Sequence, residues 1–311
     1  MKLIIDTDMG IDDAIALLMV LAQPEAELKA ITTVLGNVSL AQATLNAGVI
    51  LEIANAPLIP IYRGCAKPLL QYDPVDAREF HGSDGLGGVG KSETSRPVES
   101  EHASLALIRL ARERPGELTL LTLGPLTNVA LAIRLDPNFL KNLNRLILMA
   151  GAVDGRGNET SCSEFNIFVD PEAAKIVFNA LNEVDLGVWL VSWEATLDHD
   201  IPFPTWQKII TSSNFPTAQF VQKMNVYAQQ HLEVANYPGM LWPDPLAAAV
   251  ALAPDIVVSQ EYRFVEVVTG QGPARGQTLV DYRPGRQSPN VHIVRQVNMQ
   301  KFQDLLQMAV R

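Results

Sequence analysis

The chain has 311 residues, 48% of them hydrophobic, and a net charge of −10 from 34 acidic and 24 basic residues. This length and composition suit one large domain, 1–311, and the acidic balance disfavours nucleic acid or an anionic membrane surface as a partner. Two cysteines are too few for a disulfide framework, and no apolar stretch suffices for a bilayer span or a signal-peptide core, so we expect a cytoplasmic protein.

Short apolar runs alternate with helical patterns along the first two thirds of the chain. The runs are rich in Ile, Leu and Val with little polar alternation, which is typical of parallel strands covered on both faces. We predict strands at Leu3–Ile5, Ala30–Leu35, Leu58–Tyr62, Leu118–Leu123, Leu146–Ala150 and Leu186–Val191. We predict helices at Asp12–Ala22, Leu40–Ala54, Ser104–Arg114, Leu126–Arg134 and Glu172–Leu181. This order predicts an α/β fold of the doubly wound, Rossmann-like kind with a mostly parallel sheet.

Two segments interrupt this rhythm. Residues 64–100, the first insertion, are poor in periodicity and rich in Gly, Ser and Pro. Residues 195–245, the second insertion, have a mostly helical pattern punctuated by prolines. Ligands of α/β folds bind at the carboxyl ends of the strands, where long insertions often form walls. We therefore expect these helical insertions to form the pocket walls.

Four aspartates fall within eight residues directly after the first predicted strand: Asp6, Asp8, Asp12 and Asp13. Two of them, Asp12 and Asp13, would complement the dipole at a helix N-terminus, but this does not explain Asp8 beside Gly10 in a loop. Carboxylates that converge in a crevice repel one another, and a hard divalent cation with oxygen ligands relieves that repulsion. The cluster therefore predicts a site for Ca²⁺ or Mg²⁺.

A strand that ends in Asp-x-Asp is also how haloacid-dehalogenase-type phosphatases begin. In that alternative, Asp6 is the nucleophile and Asp8 the acid of a Mg²⁺-dependent phosphatase. That family continues with Gly-Thr or Gly-Val directly after the second Asp, whereas Met9 follows it here. The continuation of the chain to Asp12 and Asp13 favours a different kind of site.

The segment DTDMGIDD at 6–13 resembles the signature of the inosine–uridine nucleoside hydrolase family. Further segments match that family in the same order: LGNV at 35–38, HGSDGLG at 81–87, LGPLTN at 123–128, MAG at 149–151, EFNIFVDP at 164–171 and PDPLA at 243–247. The match covers nearly the whole chain. The resemblance implies an enzyme of nucleoside salvage that hydrolyses the N-glycosidic bond of ribonucleosides to free base and ribose.

By the same resemblance, Ca²⁺ is held by Asp8, Asp13, Asp244 and the main-chain carbonyl of Leu123, all oxygen ligands as this ion prefers. Asp8 takes the proton from the water that attacks the anomeric carbon, and the transition state resembles an oxocarbenium ion. The residues expected to contact the sugar, with Met149 beside them at a strand end, are Asp12, Asn37, Asn158, Glu164 and Asn166. We expect a homodimer or homotetramer with a nucleoside as its small-molecule partner.

The chain departs from the family pattern at Pro243. Many members carry a histidine there that protonates the leaving base, and others carry a tryptophan that stacks on a purine. Proline can neither protonate nor stack on a base, so this position identifies neither the acid that protonates the leaving base nor the base that is preferred. In the second insertion Tyr227 and His231 are spaced i, i+4 on one helix face that could overhang the base pocket, with His231 as the proton donor or as an exposed histidine. His81 of the first insertion is a second candidate for lining that pocket.

One further pattern has a different interpretation. The segment GLGGVGKS at 85–92 fits the phosphate-loop pattern, but no buried strand precedes it and Pro97 leaves little room for a helix after it. We interpret it as a glycine-rich loop and expect no nucleoside triphosphate site. Trp193 and Trp242 either stack on a base or pack in the core. Because of Pro243, a non-catalytic ribose- or nucleoside-binding protein stays as a third hypothesis.

Overall fold

The computed structural model describes residues 1–70 and 75–311. The strands in these residues are β1 (Lys2–Thr7), β2 (Glu27–Thr33), β3 (Ile61–Arg63), β4 (Val98–Glu99), β5 (Leu118–Thr122), β6 (Leu143–Met149), β7 (Gly187–Val191), β8 (Ile201–Pro202), β9 (Gly239–Met240), β10 (Val257–Val267), β11 (Thr278–Asp281) and β12 (Val291–Val297). One sheet has the order β11–β10–β12–β7–β6–β5–β1–β2–β3–β4, and β8 pairs with β9 alone. Within the large sheet β10 runs antiparallel to both of its neighbours, and the other neighbouring pairs are parallel.

Helices cover both faces of this sheet. They are α1 (Ile11–Leu21), α2 (Leu40–Ile53), α3 (Arg78–His81), α4 (Ala103–Glu113), α5 (Thr127–Leu135), α6 (Phe165–Val169), α7 (Pro171–Leu181), α8 (Trp193–Leu197), α9 (Phe203–Ile210), α10 (Pro216–Val234), α11 (Pro243–Leu252) and α12 (Met299–Met308). One hydrophobic core joins the sheet to α1, α10, α11 and α12, and a second joins its other face to α4, α5 and α7. The predicted α/β fold with a mostly parallel sheet is confirmed.

The predicted elements are all present, and their ends differ by at most three residues. The largest shifts are at strand starts, and one has a clear cause. Leu58 was expected to open a strand, but its side chain is 80% exposed and β3 starts at Ile61. Proline lacks the N–H that a strand donates, and the chain passes Pro57 and Pro60 before pairing begins.

The carboxyl ends of the central strands gather the residues singled out in the sequence. Asp8 and Leu123 directly follow β1 and β5, Met149 ends β6, and Asn37 lies four residues beyond β2. These strands are neighbours and run parallel, so the four residues share one edge of the sheet. The first insertion contributes α3 and the second contributes α10, and both lie above this edge as walls of one cavity.

In the described part of the chain, no helix is both long and apolar enough to cross a membrane.

Candidate active site

The turn between β1 and α1 folds its aspartates back toward the sheet edge. Met9 has a φ of 37°, in the left-handed region that residues other than glycine seldom adopt, and Gly10 then begins α1 as its N-cap. The Asp13 carboxylate accepts hydrogen bonds from the Gly10 N–H at 2.8 Å and from the Thr7 hydroxyl. Asp13 is therefore fixed in the first turn of α1, where the helix dipole favours a negative charge.

Asp8 is enclosed by two glycines. A Cβ atom on Gly36 would lie 1.9 Å from Asp8 Oδ2, and one on Gly124 would lie 3.0 Å from Oδ1, so a larger residue at either position would displace the carboxylate. Asn37 donates from its main-chain N–H to Asp8 Oδ2 at 2.7 Å and from Nδ2 to Oδ1 at 3.2 Å. The same Nδ2 lies 3.0 Å from Asp13 Oδ2, so Asn37 joins the two carboxylates.

The floor of the cavity is a cluster of buried carboxylates. Oxygens of Asp12, Asp13 and Asp244 all lie within 4.8 Å of one another. Burial, followed by repulsion from Asp13, raises the pKa of Asp12 to about 8. Burial and neighbouring carboxylates also raise the pKa values of Asp8 and Asp244 well above their usual range. Asp12 Oδ1 is buried without a hydrogen-bond partner among the described residues. These all-oxygen donors fit a hard divalent cation.

The four expected Ca²⁺ ligands do not all lie in the carboxylate cluster. Asp13 and Asp244 lie in the cluster together with Asp12, whereas the Asp8 carboxylate is held beside it by Asn37. The Leu123 carbonyl accepts a hydrogen bond from Asn166 Nδ2 at 2.7 Å, and Leu123 lines the same cavity.

Glu164 and Asn166 form the opposite wall, at the start of α6. Glu164 caps this helix and is 1% exposed. Its carboxylate accepts from the N–H groups of Gly151 and Asn166, each at 2.8 Å, and burial raises its pKa to about 7. Asn166 Nδ2 also contacts the Met149 carbonyl at 3.1 Å. The EFN segment is therefore a buried polar unit tied to the ends of β5 and β6.

The loop before that unit depends on a residue that the sequence did not single out. Glu194, in α8, is buried and accepts from the N–H groups of Val153 and Asp154, each at 2.9 Å, and of Arg156 at 3.1 Å. Two residues later, Asn158 is exposed on the rim and accepts the Phe165 N–H at 2.9 Å. No local pattern marks Glu194, because the loop that it binds comes from another part of the chain.

These groups line one cavity of about 280 Å³. Its lining residues are Asp12, Asn37, Asp76, Ala77, Glu79, Phe80, His81, Leu123, Met149, Asn158, Glu159, Glu164, Phe165, Asn166, Trp193, His231, Leu232, Tyr237, Leu241, Pro243 and Asp244. Carboxylates and amides line part of it, and aromatic rings and two histidines line the rest, with His81 Nδ1 3.7 Å from Asp12 Oδ1.

Phe80 and the two histidines of the lining come from α3 and α10. The ring of Phe80 stands edge-on to His81 at 4.9 Å and to His231 at 5.4 Å. Nδ1 of His81 accepts the Ile11 N–H at 3.0 Å, and burial lowers the pKa of this histidine to about 3. Tyr227 lies outside the lining residues, is 37% exposed and packs against Gly87, whereas Tyr237, not identified from the sequence, does line the cavity.

Comparison with known proteins agrees with this geometry. Residues 3–304 match the family of the inosine-uridine preferring nucleoside hydrolase. The chain belongs to the nucleoside hydrolase family. It is therefore a hydrolase of a metal-dependent family that cleaves the N-glycosidic bond of ribonucleosides.

Similar nucleoside hydrolases come from distant organisms. A probable uridine nucleosidase 1 of Oryza sativa is 36% identical over 90% of this chain and 85% of its own length. The inosine-uridine preferring nucleoside hydrolase of Crithidia fasciculata is 33% identical over 98% and 96%. Among solved structures, an inosine-guanosine nucleoside hydrolase is 32% identical with a TM-score of 0.90, covering 99% of this chain and 98% of its own.

Pro243, where this nucleoside hydrolase departs from the family pattern, lies in the cavity wall. Pro243 is the first residue of α11 and lines the cavity directly before Asp244. Trp242 is buried and packs against Trp206 with ring centroids 4.9 Å apart, so it is a core residue, whereas Trp193 lines the cavity. The chain therefore presents no ionisable group at position 243.

Asp6, the nucleophile of the phosphatase alternative, lies outside the cavity lining of this nucleoside hydrolase. Its Oδ1 accepts from Thr32 Oγ1 at 2.5 Å and from Asn128 Nδ2 at 2.8 Å, and burial raises its pKa to about 7. A carboxylate in the interior of β1 with these partners is a structural group.

The glycine-rich segment at 85–92 is a loop without a preceding strand, as expected. The anion that this loop binds is the Asp84 carboxylate. The Asp84 carboxylate accepts from the N–H groups of Leu86 at 3.0 Å, Gly88 at 2.9 Å and Gly90 at 2.8 Å. The amides that a phosphate loop would aim at a nucleotide are bound to the chain itself.

Proposed function

We propose that this nucleoside hydrolase cleaves ribonucleosides to free base and ribose with Ca²⁺ at the acidic floor. The ion would be held by Asp8, Asp13, the Leu123 carbonyl and Asp244. When bound, Ca²⁺ supplies positive charge that lowers the pKa of a nearby water and orients ribose hydroxyls. The observation that carries the proposal is that Asp12 and Asp244 line one cavity together with the EFN wall. Asp13 belongs to the same buried cluster, and Asn37 holds the buried Asp8 carboxylate beside it.

The attacking water would give its proton to Asp8. Asn37 holds the Asp8 carboxylate through both of its oxygens, which orients it without adding a positive charge. Because Gly36 and Gly124 enclose this carboxylate, it has little freedom to rotate away. Such pre-organisation lowers the entropy lost in reaching the transition state.

The ribose would lie between the two polar walls. Asp12, Asn37, Asn158, Glu164 and Asn166 would accept hydrogen bonds from its hydroxyls or donate to them, with Met149 beside them. Asp12 Oδ1 is buried and has no hydrogen-bond partner among the described residues. A buried hydroxyl left without a partner costs roughly 1–3 kcal/mol, so a matched set of polar groups is what a sugar site requires.

The base would lie among Phe80, His81 and His231. His231 is our candidate for the general acid, because it lines the same cavity as Pro243, which offers no proton. His81 is the second candidate, and Trp193 could stack on the base. Tyr227 would act through the Gly87 loop rather than on the base itself.

We place this enzyme in nucleoside salvage in the cytoplasm, as a homodimer or homotetramer. The acidic composition, with 34 acidic against 24 basic residues, supports a small-molecule substrate rather than a nucleic acid.

A panel of nucleosides with detection of released reducing sugar tests the proposal. We expect ribose from uridine or inosine in the presence of Ca²⁺, and loss of turnover with a chelator that is restored by added Ca²⁺. Size-exclusion chromatography with light scattering gives the oligomeric state in the same samples.

Two other outcomes would contradict the proposal. Release of phosphate from phosphoesters without nucleoside cleavage would favour the phosphatase. Binding of ribose without hydrolysis of any nucleoside would favour a binding protein.

A further inference from the structure

Asn46, in the interior of α2, is fully buried and lies outside the cavity lining. Its side-chain amide uses both of its hydrogens, because Nδ2 donates to the main-chain carbonyl of Met9 at 3.1 Å and to that of Asp84 at 2.8 Å. The amide oxygen accepts from Gln42 Nε2 at 2.9 Å. One side chain therefore joins the turn between β1 and α1 to the residue that precedes the glycine-rich loop.

The Met9–Gly10 peptide group in that turn is held at both of its polar atoms. Asn46 binds the Met9 carbonyl, and the Gly10 N–H donates to Asp13 Oδ2 at 2.8 Å. Met9 has a φ of 37°, a conformation that is costly for a residue with a side chain and persists only where the surroundings fix it. Rotation of this peptide group would break the hydrogen bond that orients the Asp13 carboxylate, an expected Ca²⁺ ligand.

The first insertion approaches the same turn at two further points. His81 Nδ1 accepts the Ile11 N–H at 3.0 Å. A Cβ atom on Gly85 would lie 2.9 Å from Asn46 Nδ2 and 3.3 Å from the Met9 carbonyl oxygen, and the φ of Gly85 is 75°. Only glycine combines this conformation with so close an approach. The turn that carries the expected ligands and the first insertion are thus packed against each other.

We propose that Asn46 is a positioning residue for the Ca²⁺ site, and that it couples Ca²⁺ binding to the order of the glycine-rich loop. The inference rests on the proposed Ca²⁺ site of this nucleoside hydrolase. The conformation of the Met9–Gly10 peptide that orients Asp13 is the same one that binds Asn46, and Asn46 in turn holds the Asp84 carbonyl. Ca²⁺ and the docked loop therefore favour one state of the turn, and each stabilises the other by the same factor.

Calorimetry of Ca²⁺ binding to the whole protein tests the positioning role. Asn46→Asp keeps the size of the side chain but replaces the donor with a carboxylate oxygen, which repels both carbonyl oxygens. We expect the Kd for Ca²⁺ to rise at least tenfold. An added negative charge would by itself favour the cation, so a rise in Kd reports the lost contacts. Gly85→Ala acts on the turn from the loop side and should also raise the Kd.

Asn290→Asp is the matched control. Asn290 is also buried, and its Nδ2 donates to the main-chain carbonyl of Val265 at 2.9 Å, beside β10 near one edge of the sheet. We expect this variant to lower the Tm as Asn46→Asp does but to keep the Kd for Ca²⁺ within twofold of the wild type. A loss of affinity that merely followed lost stability would appear in both variants.

Hydrogen exchange of the loop amides tests the coupling. In the wild type, Ca²⁺ should slow exchange at least threefold at Gly88 and Gly90, whose N–H groups bind the Asp84 carboxylate. In Asn46→Asp, Ca²⁺ should leave these rates unchanged.

The outcomes separate this inference from the proposed function. Wild-type Ca²⁺ affinity in Asn46→Asp, or equal losses of affinity in Asn46→Asp and Asn290→Asp, would overturn the positioning role while the Ca²⁺ site stands. Loop exchange that does not respond to Ca²⁺ in the wild type would overturn the coupling. A wild-type protein that binds no Ca²⁺ would defeat the proposed function itself.

Discussion

Replacing His231 with alanine tests how the base departs. His231 lines the cavity and meets the ring of Phe80 edge-on at 5.4 Å. Loss of a general acid typically lowers a rate by about 10²–10⁴-fold, which corresponds to about 3–5 kcal/mol in the activation free energy. The aromatic contact contributes about 0.5–1.5 kcal/mol to stability, so the variant should stay folded.

The assay compares two leaving groups. On uridine, His231→Ala should lose at least a hundredfold in kcat/KM. On p-nitrophenyl riboside, whose leaving group needs no proton, it should stay within about threefold of the wild type. Gln230→Ala, an exposed neighbour on the same helix, is the control and should behave as wild type on both.

Equal rates of His231→Ala and wild type on every natural nucleoside would refute this reasoning. If His81→Ala then lost activity on uridine alone, the acid would lie on the first insertion instead. A similar loss on both substrates would assign His231 to binding rather than to proton transfer.

Three further outcomes are expected. Asp13→Asn should abolish Ca²⁺ binding in calorimetry together with turnover, and full activity of this variant without metal would contradict the assignment of the floor. Asn166→Ala leaves the Leu123 and Met149 carbonyls without their donor, so we expect a loss of about 1–3 kcal/mol in stability and similar losses of turnover on all nucleosides, not on one base alone. The pKa of Glu52 is lowered to about 2 by hydrogen bonds from Ser95 and Thr94, so the stability it contributes is present above about pH 4.5 and is lost toward pH 2. Denaturant unfolding of Glu52→Gln should therefore show a deficit at pH 7 that disappears at pH 2, and an equal deficit at both pH values would contradict it.

The central strands could be predicted because their apolar runs are continuous. β1 and β5 are buried along most of their length between two helical layers, so no polar alternation interrupts them. The strands β10 and β12 were not predicted. In β10 only Val265 and Val267 are buried, so no continuous apolar run marks the strand, and it lies near the sheet edge.

Some residues of the candidate site could likewise be predicted from the sequence, and others could not. Asp8 and Asp13 follow the end of β1, so their position predicts that they lie at the sheet edge, whereas Asn166 was assigned through the family resemblance. Glu194 and Tyr237 depend on tertiary contacts: Glu194 binds the loop at 153–156 from α8, and Tyr237 lines the cavity from the turn after α10. Tyr227 shows the converse, since its helical spacing places it beside His231, but it lies against Gly87 and outside the cavity lining.

The Asp84 carboxylate has a consequence for any ligand of the glycine-rich loop. It is tied to the amides of Leu86, Gly88 and Gly90 by a few residues of its own chain, so it behaves as a tethered competitor. A short tether gives an effective concentration in the millimolar range or above, which a free phosphate would have to exceed before it could bind. The N–H donors of the loop are thus already bound to Asp84, so they are not available to the phosphates of a nucleoside triphosphate.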